Sequence, residues 1–256
     1  MGCPDHRLIV IAFGYHRLKM TMAYIVIAGD VHGAIGFFYE QALKLQDELK
    51  EPIEAILQVG DLQIYSESSQ VDKAVNRHGG PGEFPQWFKE QRSVPIPTYA
   101  ILGNHDDAML FYRYAGKEII PSLHLLPQGE VVSINIGSQV VRVGSLGGNY
   151  SPKYFHFESD KLSQAKLKHY TEAHINSLVE KAPFDILLTH EAPDGVVIRD
   201  GADLGRPEIG ALIRKTAPRY VFFGHHHWHV KAEIGSTTVV GLSRIQREGG
   251  MYPIRY

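Results

Sequence analysis

Cysteine is almost missing from this sequence, since Cys3 is the single one among 256 residues. One cysteine excludes an intrachain disulfide and favours a reducing compartment, which we take to be the cytoplasm. Long apolar runs are missing too, because none approaches the roughly 20 residues that span a bilayer. We therefore expect no membrane partner. Neither charge dominates, with 26 basic and 28 acidic residues, so no global field attracts nucleic acid, although a local basic groove stays open.

The chain is predicted to contain one domain after a short appendage. Residues 8–13 form an apolar run with basic neighbours, but a signal peptide needs a longer apolar core and a cleavage site of small residues. No linker, repeat or low-complexity tract divides the remainder. We therefore interpret residues 1–21 as an N-terminal appendage and residues 22–256 as a single domain.

Histidine, in contrast, is abundant, with 14 residues. Several histidines follow short apolar runs that end in a small or turn-forming residue. The five runs of this kind cover residues 24–28, 55–59, 98–102, 185–188 and 220–223. Such continuous runs predict strands buried on both faces. Because sites in open α/β sheets form beyond the carboxyl ends of the strands, the residues that follow the five runs are expected to meet at one rim.

Helical patterns separate the runs. Apolar residues at three- and four-residue spacing predict a helix over 34–49, and shorter helices are predicted over 85–92, 107–115, 171–181 and 207–216. A hairpin with the turn Gly137-Ser138 follows the third run, and strands are predicted over 229–234, 237–242 and 251–255. This order predicts an α/β fold: a four-layer α/β/β/α sandwich of two mixed β-sheets flanked by helices. Residues 62–84 and 147–170 are interpreted as insertions over the rim.

The polar residues behind the five runs form one candidate metal site. A single Gly-Asp pair or strand histidine is usually structural, but here every such motif terminates a strand-like run. Two divalent ions about 3.5–4 Å apart require a bridging carboxylate. Mixed imidazole and carboxylate ligands suit Mn, Fe or Zn, and the lack of thiolates argues against a structural zinc cage. The candidate ligands are Asp30, His32, Asp61, Asn104, His190, His225 and His227.

These motifs, in this order, resemble those of the calcineurin-like metallophosphoesterases, and the likeness extends from Tyr24 to about Leu242. The resemblance implies a metal-dependent hydrolase of phosphate esters in which a bridging hydroxide attacks phosphorus. It also implies the distribution of the ligands. The first metal is bound by Asp30, His32 and His227, the second by Asn104, His190 and His225, and Asp61 bridges the two.

Residues 104–106 carry the remaining expected roles. By the resemblance, His105 protonates the leaving oxygen as the general acid, and Asn104 also positions a phosphate oxygen. An orienting or substrate-binding role is the alternative for His105. Asp106 is expected to cap the helix that follows, with the positive end of that helix near the phosphate.

The second motif narrows the substrate. Protein Ser/Thr phosphatases of this fold carry a further aspartate and an arginine after the Gly-Asp pair, and residues 60–65 lack both, which counts against a phosphoprotein substrate. The Gly-Asp-Leu-Gln form is instead similar to the catalytic domain of RNA lariat-debranching enzymes, as are residues 111–114, 144–148 and 185–195. Eukaryotic debranching enzymes have cysteine at the position of Asp30. The resemblance implies a phosphodiesterase that acts on a nucleotide, on RNA or on another phosphate ester.

Two alternatives stay open. The second insertion contains aromatic and basic residues that predict either a surface for stacking bases or, as we favour, a segment that packs its own aromatics. These residues are Tyr150, Lys153, Tyr154, Phe155, His156 and Phe157. The alternative to an enzyme is a catalytically silent scaffold of the same fold that binds protein partners. Such relatives usually lose ligands, whereas this chain keeps all seven.

Overall fold

The computed structural model describes residues 23–67, 75, 80–158 and 161–256. The appendage predicted over residues 1–21 lies outside these ranges, so its boundary with the domain stays a prediction. Among the described residues, no helix combines the length and the apolar character that crossing a membrane requires.

Two six-stranded mixed sheets form the centre of the fold. The first contains β1 (Tyr24–Ala28), β2 (Ile53–Gln58), β3 (Thr98–Ala100), β4 (Glu118–Ile120), β5 (Leu123–Leu125) and β14 (Met251–Arg255). Their order across the sheet is β14-β1-β2-β3-β5-β4. The four central strands are parallel, and the two edge strands pair antiparallel to their neighbours. Pro253 therefore lies on an edge strand, where its missing N–H costs no central hydrogen bond.

The second sheet repeats this plan. It contains β6 (Glu130–Ile136), β7 (Gln139–Leu146), β8 (Ile186–Thr189), β11 (Tyr220–Phe223), β12 (Val230–Ile234) and β13 (Thr237–Gly241). The order is β12-β13-β11-β8-β7-β6, again with parallel central strands and antiparallel edges. The predicted turn at Gly137-Ser138 joins β6 to β7. A separate small hairpin consists of β9 (Ile198–Arg199) and β10 (Ala202–Asp203).

Helices cover the outer faces of the sheets. In the part of the chain that the structure describes, they are α1 (Ile35–Leu49), α2 (Phe84–Glu90), α3 (Ala108–Tyr114), α4 (Glu172–Glu180) and α5 (Pro207–Thr216). All five helices predicted from the sequence are confirmed, with ends that differ by at most two residues. The short strands β4, β5, β9 and β10 were not predicted, because two or three residues are too few to show a period.

Three apolar layers separate the four structural layers. Val26 and Ala28 of β1 pack in the layer beneath α1, α2 and α3, while Ile25 and Ile27 of the same strand pack between the two sheets. In the second sheet, Leu187 of β8 packs in the third layer, beneath α4 and α5. Both faces of both sheets are therefore buried, which explains why the strand sequences are continuous apolar runs. The predicted α/β/β/α sandwich is confirmed.

Candidate metal centre

The five apolar runs of the sequence form strands that end at one rim. These strands are β1, β2, β3, β8 and β11. Within each sheet these strands are parallel, so their carboxyl ends meet at the same edge. The residues that follow them are directed toward each other across the junction of the two sheets. The side chains brought together are those of Asp30, His32, Asp61, Asn104, His190, His225 and His227.

A first group of three side chains converges on one point. Asp30 Oδ2 lies 2.8 Å from His227 Nε2 and 3.7 Å from His32 Nε2. The two histidine Nε2 atoms are 3.0 Å apart, and one ligand atom from each of the three residues falls within 4.8 Å of the others. One carboxylate oxygen and two imidazole nitrogens in this arrangement form a donor set that suits a divalent transition metal.

A second group lies beside the first. Asn104 Oδ1 is 2.9 Å from His190 Nε2 and 2.8 Å from His225 Nδ1. Asp61 stands between the groups, with Oδ1 3.4 Å from His190 Nε2 and Oδ2 4.0 Å from His32 Nε2. The two oxygens of one carboxylate thus face different groups. This is the placement that a carboxylate bridging two cations requires.

Four of these residues have a left-handed backbone. The φ angles are 47° at His32, 56° at Asp61, 63° at His225 and 56° at His227. This conformation is uncommon for residues other than glycine, costs of the order of 1–3 kcal/mol each and is concentrated at functional sites. The turn at both histidines of the last motif lets His225 contact the second group and His227 the first, although only one residue separates them.

Several of these residues follow a glycine, because another residue of the site packs directly against that glycine. A Cβ atom at Gly103 would collide with the backbone nitrogen and the carboxylate of Asp61, and one at Gly224 would collide with the carboxylate of Asp30. The Gly-Asp, Gly-Asn and Gly-His pairs of the sequence therefore reflect close approach of two strand ends, besides the turn that each glycine begins.

Burial and charge oppose each other in the centre. Burial alone would raise the pKa of Asp61, but the charge and hydrogen bond of His190, together with the charges of His105 and His32, hold that pKa below its usual value. Burial would likewise lower the pKa of His190, and the Asp61 carboxylate instead raises it to about 10. His190 Nδ1 donates to the Val59 carbonyl oxygen at 2.8 Å. That bond turns Nε2 toward Asn104, as in metal-binding histidines, and a metal would have to displace the Nε2 proton.

Asp106 does not cap helix α3, so that prediction was wrong. Its neighbour Asp107 is the cap, and its side chain accepts from the backbone nitrogens of Met109 and Leu110. Asp106 is buried and ties together the loops that follow β2 and β3. Its carboxylate accepts N–H bonds, at distances from 2.7 to 3.2 Å, from Asp61, Gln63, Ile64 and Gly103.

Replacing Asp106 by alanine should destabilise the rim. The variant leaves buried N–H groups without an acceptor, and each costs about 1–3 kcal/mol. We expect the free energy of unfolding to fall by at least about 3 kcal/mol, measured by urea denaturation, together with weaker metal binding. Asp107→Ala is the matched control, because losing an N-cap costs only about 1 kcal/mol and leaves the loops joined. Equal losses in both variants would contradict this role of Asp106.

His105 borders the first ligand group. Its backbone N–H donates to Asp61 Oδ1 at 2.7 Å, and the centroid of its ring lies 5.5 Å from that of His32. The side chain is partly exposed. His105 is therefore held beside the candidate ligands, on the side open to solvent.

Gln58 supports the site and was not identified from the sequence. It is fully buried, accepts the N–H of Gly60 at 3.0 Å and donates to the Gly60 carbonyl at 2.5 Å and to the Gly29 carbonyl at 3.3 Å. These bonds fix the glycine that precedes Asp61 against the end of β1. A polar residue inside the otherwise apolar run over residues 55–59 was the available signal.

The insertion over residues 147–170 contacts the rim. The backbone N–H of Tyr150 donates to Glu191 Oε2 at 2.5 Å, and Glu191 Oε1 accepts from Arg206 at 2.8 Å. The ring of Phe155 is buried and lies 5.3 Å from that of Tyr150. The ring of Tyr154 stacks on that of His169. These contacts support the interpretation that the segment packs its own aromatics. In the insertion over residues 62–84, residues 68–74 and 76–79 lie outside the described ranges.

Known proteins share this sequence pattern and fold. Two lariat debranching enzymes are similar to the chain. That of Entamoeba histolytica is 25% identical over 244 residues, covering 87% of this chain and 69% of the relative. That of Arabidopsis thaliana is 23% identical over 237 residues, covering 82% and 56%. The crystal structure of TT1561 of Thermus thermophilus aligns over 88% of this chain and 90% of its own, with a TM-score of 0.57 and 16% identity, which is a likeness of fold.

A family model decides the relationship. The model of the calcineurin-like phosphoesterases matches residues 23–229, which is most of the chain and includes every side chain described at the rim. Members of this family are phosphoesterases that bind divalent metals. The chain therefore belongs to the calcineurin-like phosphoesterase family.

Proposed function

We propose that this chain is a phosphodiesterase that holds two divalent ions, Mn, Fe or Zn, with the seven side chains at the rim. The observation that carries the proposal is Asp61, whose two oxygens face two separate groups of ligand atoms. When bound, the pair of ions would supply a nucleophilic water of lowered pKa and positive charge for the phosphoryl oxygens. The oxygen and imidazole donors support ions of this class.

Residues of the chain would perform the remaining steps. His105 is proposed as the general acid, because its ring is next to the first ligand group and partly exposed, where it can reach a leaving oxygen. A protonated imidazole there would deliver its proton as the bond between phosphorus and the leaving group breaks. Asn104 Oδ1 faces His190 and His225, which leaves its amide nitrogen to donate to a phosphate oxygen.

RNA is the substrate class that we propose. Relatives that cover most of this chain are named lariat debranching enzymes. Residues 60–65 also lack the aspartate and arginine of protein phosphatases, which argues against phosphoproteins. The chain spans just over half of the Arabidopsis relative, so the activity of that longer protein comes to this chain only as a hypothesis.

Removal of metal and a choice of substrates test the proposal. With Mn present, the chain should hydrolyse bis(p-nitrophenyl) phosphate, a chelator should abolish turnover, and added Mn should restore it. A branched RNA with a 2′,5′ linkage should be cleaved at least about tenfold faster than a linear RNA of the same composition, since that difference needs only about 1.4 kcal/mol of transition-state binding. Turnover that survives exhaustive chelation would contradict the metal mechanism. Equal cleavage of both RNAs would contradict the debranching activity but not the metal mechanism.

A further inference from the structure

A large aromatic side chain is exposed beside the first ligand group. Trp228 directly follows His227, so their Cα atoms are only about 3.8 Å apart, and 42% of the tryptophan is exposed. Ile198, on the β9–β10 hairpin, is 52% exposed and lines the same surface. Exposed apolar side chains that occur together, with a polar rim, mark binding surfaces more often than those scattered singly.

These side chains line an open cleft. Its volume is about 510 Å³, within the range of about 300–1,000 Å³ that is typical of small-molecule sites. Val196, Ile198 and Trp228 form an apolar wall, and His227 is part of the lining. Because His227 also contacts Asp30 and His32, the cleft borders the first ligand group through one of its members. The cleft is therefore an extension of the candidate metal centre.

Two arginines lie in or beside the cleft, each with an acidic neighbour. The guanidinium carbon of Arg199 lies 5.7 Å from the centroid of the Trp228 ring, close enough for a cation–π contact that orients the indole. Arg199 also lies 3.7 Å from the carboxylate of Asp200, and Arg247 lines the cleft next to Glu248. A flat apolar surface beside arginines complements a nucleotide, which combines a flat base with a negative phosphate. A purely apolar ligand would gain nothing from these charges.

We propose that Trp228 and Ile198 form a base-binding subsite, where the base next to the phosphate at the metal centre stacks on the indole. This inference rests on the proposed function, and it assigns residues to the recognition of a nucleobase, which a nucleotide or a single-stranded nucleic acid could supply. Trp228 is a specificity-determining residue in this proposal. It takes no part in breaking the bond.

Fluorescence of Trp228 tests the subsite without measuring catalysis. The chain has two tryptophans, and the other, Trp87, packs against Tyr39 with ring centroids 6.0 Å apart. In a Trp87→Phe background, adenosine monophosphate should quench the emission of the protein as purified, with saturation, whereas ribose 5-phosphate should not. Trp228→Ala should weaken binding of adenosine monophosphate, measured by calorimetry, by about 5- to 150-fold, since stacking is worth about 1–3 kcal/mol per base. Trp228→Phe should keep most of the affinity.

Phe157→Ala is the matched control, because Phe157 is 44% exposed but lies outside the lining of the cleft, and this variant should bind adenosine monophosphate as the wild type does. A tetranucleotide arm identifies the source of the base. If the tetranucleotide binds more tightly than adenosine monophosphate, and its affinity depends on salt, the base belongs to a nucleic acid. Equal affinity of the two ligands indicates that the base belongs to a nucleotide. Unchanged emission at high adenosine monophosphate, or wild-type affinity in Trp228→Ala, would overturn the subsite. If the wild type still hydrolyses bis(p-nitrophenyl) phosphate, the proposed function survives that result.

Discussion

Replacing Asp61 by alanine should reduce hydrolysis of an aryl phosphodiester in the presence of Mn by at least about 10³-fold. This residue lies between both candidate ligand groups, because its oxygens are 3.4 Å from His190 Nε2 and 4.0 Å from His32 Nε2. Without the carboxylate, two cations would repel each other across the gap with no negative charge between them. His190→Ala should have a similar effect, since it removes a nitrogen of the second group. Initial rates at saturating substrate measure both effects.

Folding and metal content separate this explanation from general damage. Asp61→Asn keeps the shape and an acceptor for the backbone N–H of His105, and it should also lose activity while retaining the wild-type circular dichroism spectrum. Asp47→Ala is the control, because Asp47 is exposed on helix α1, remote from the rim, and it should remain fully active. Elemental analysis should find fewer than two ions per chain in Asp61→Ala. Near-wild-type turnover of a folded Asp61 variant would exclude the bridging role.

Replacing His105 by alanine should produce a loss of rate that depends on the leaving group. With a poor leaving group, such as an alkoxide of a ribose, the departing oxygen needs a proton, and the rate should fall by about 10²- to 10⁴-fold. With p-nitrophenolate, which leaves as an anion, the rate should fall by less than about tenfold. The measurement is the dependence of log kcat on the pKa of the leaving group, which should be steeper in the variant than in the wild type.

His156→Ala serves as the control for His105, because His156 is a largely exposed histidine whose partner is Glu172. It should leave the leaving-group dependence unchanged. Equal losses on good and poor leaving groups in His105→Ala would remove the general-acid role and leave His105 an orienting or substrate-binding histidine. Rescue of the slow substrate by added imidazole would support proton transfer.

The sequence predicted the central strands because both of their faces are buried. In β1, alternate side chains enter different apolar layers, so every position is apolar and the run is easy to recognise. Strand β4 (Glu118–Ile120) carries no such signal. It exists because it pairs with β5, and pairing between neighbouring segments is invisible in the composition of three residues. Its position at the sheet edge is therefore a result of the structure alone.

The candidate ligands could be predicted because chemistry restricts their residue types, whereas the residues that support them could not. Asp106 and Asp107 are adjacent and identical, and either suits the start of a helix. Only the folded backbone shows that the first reaches back to the loop after β2. Gln58 is similar, since its partners at Gly29 and Gly60 are ends of two strands. Such side chains bind backbone N–H and C=O groups. Because nearly every residue carries these groups, the sequence does not show which of them a side chain binds.

The hydrogen bonds of Asp106 have a consequence for the exchange of metals. They join the segments that carry Asp61 and Asn104 through protein atoms alone, so the conformational entropy of these loops is lost when the chain folds and not when an ion arrives. The binding site would therefore be preformed before an ion binds. We expect Mn, Fe and Zn to replace one another without rearrangement of the rim, so that the growth medium, more than the protein, determines which metal is purified with it.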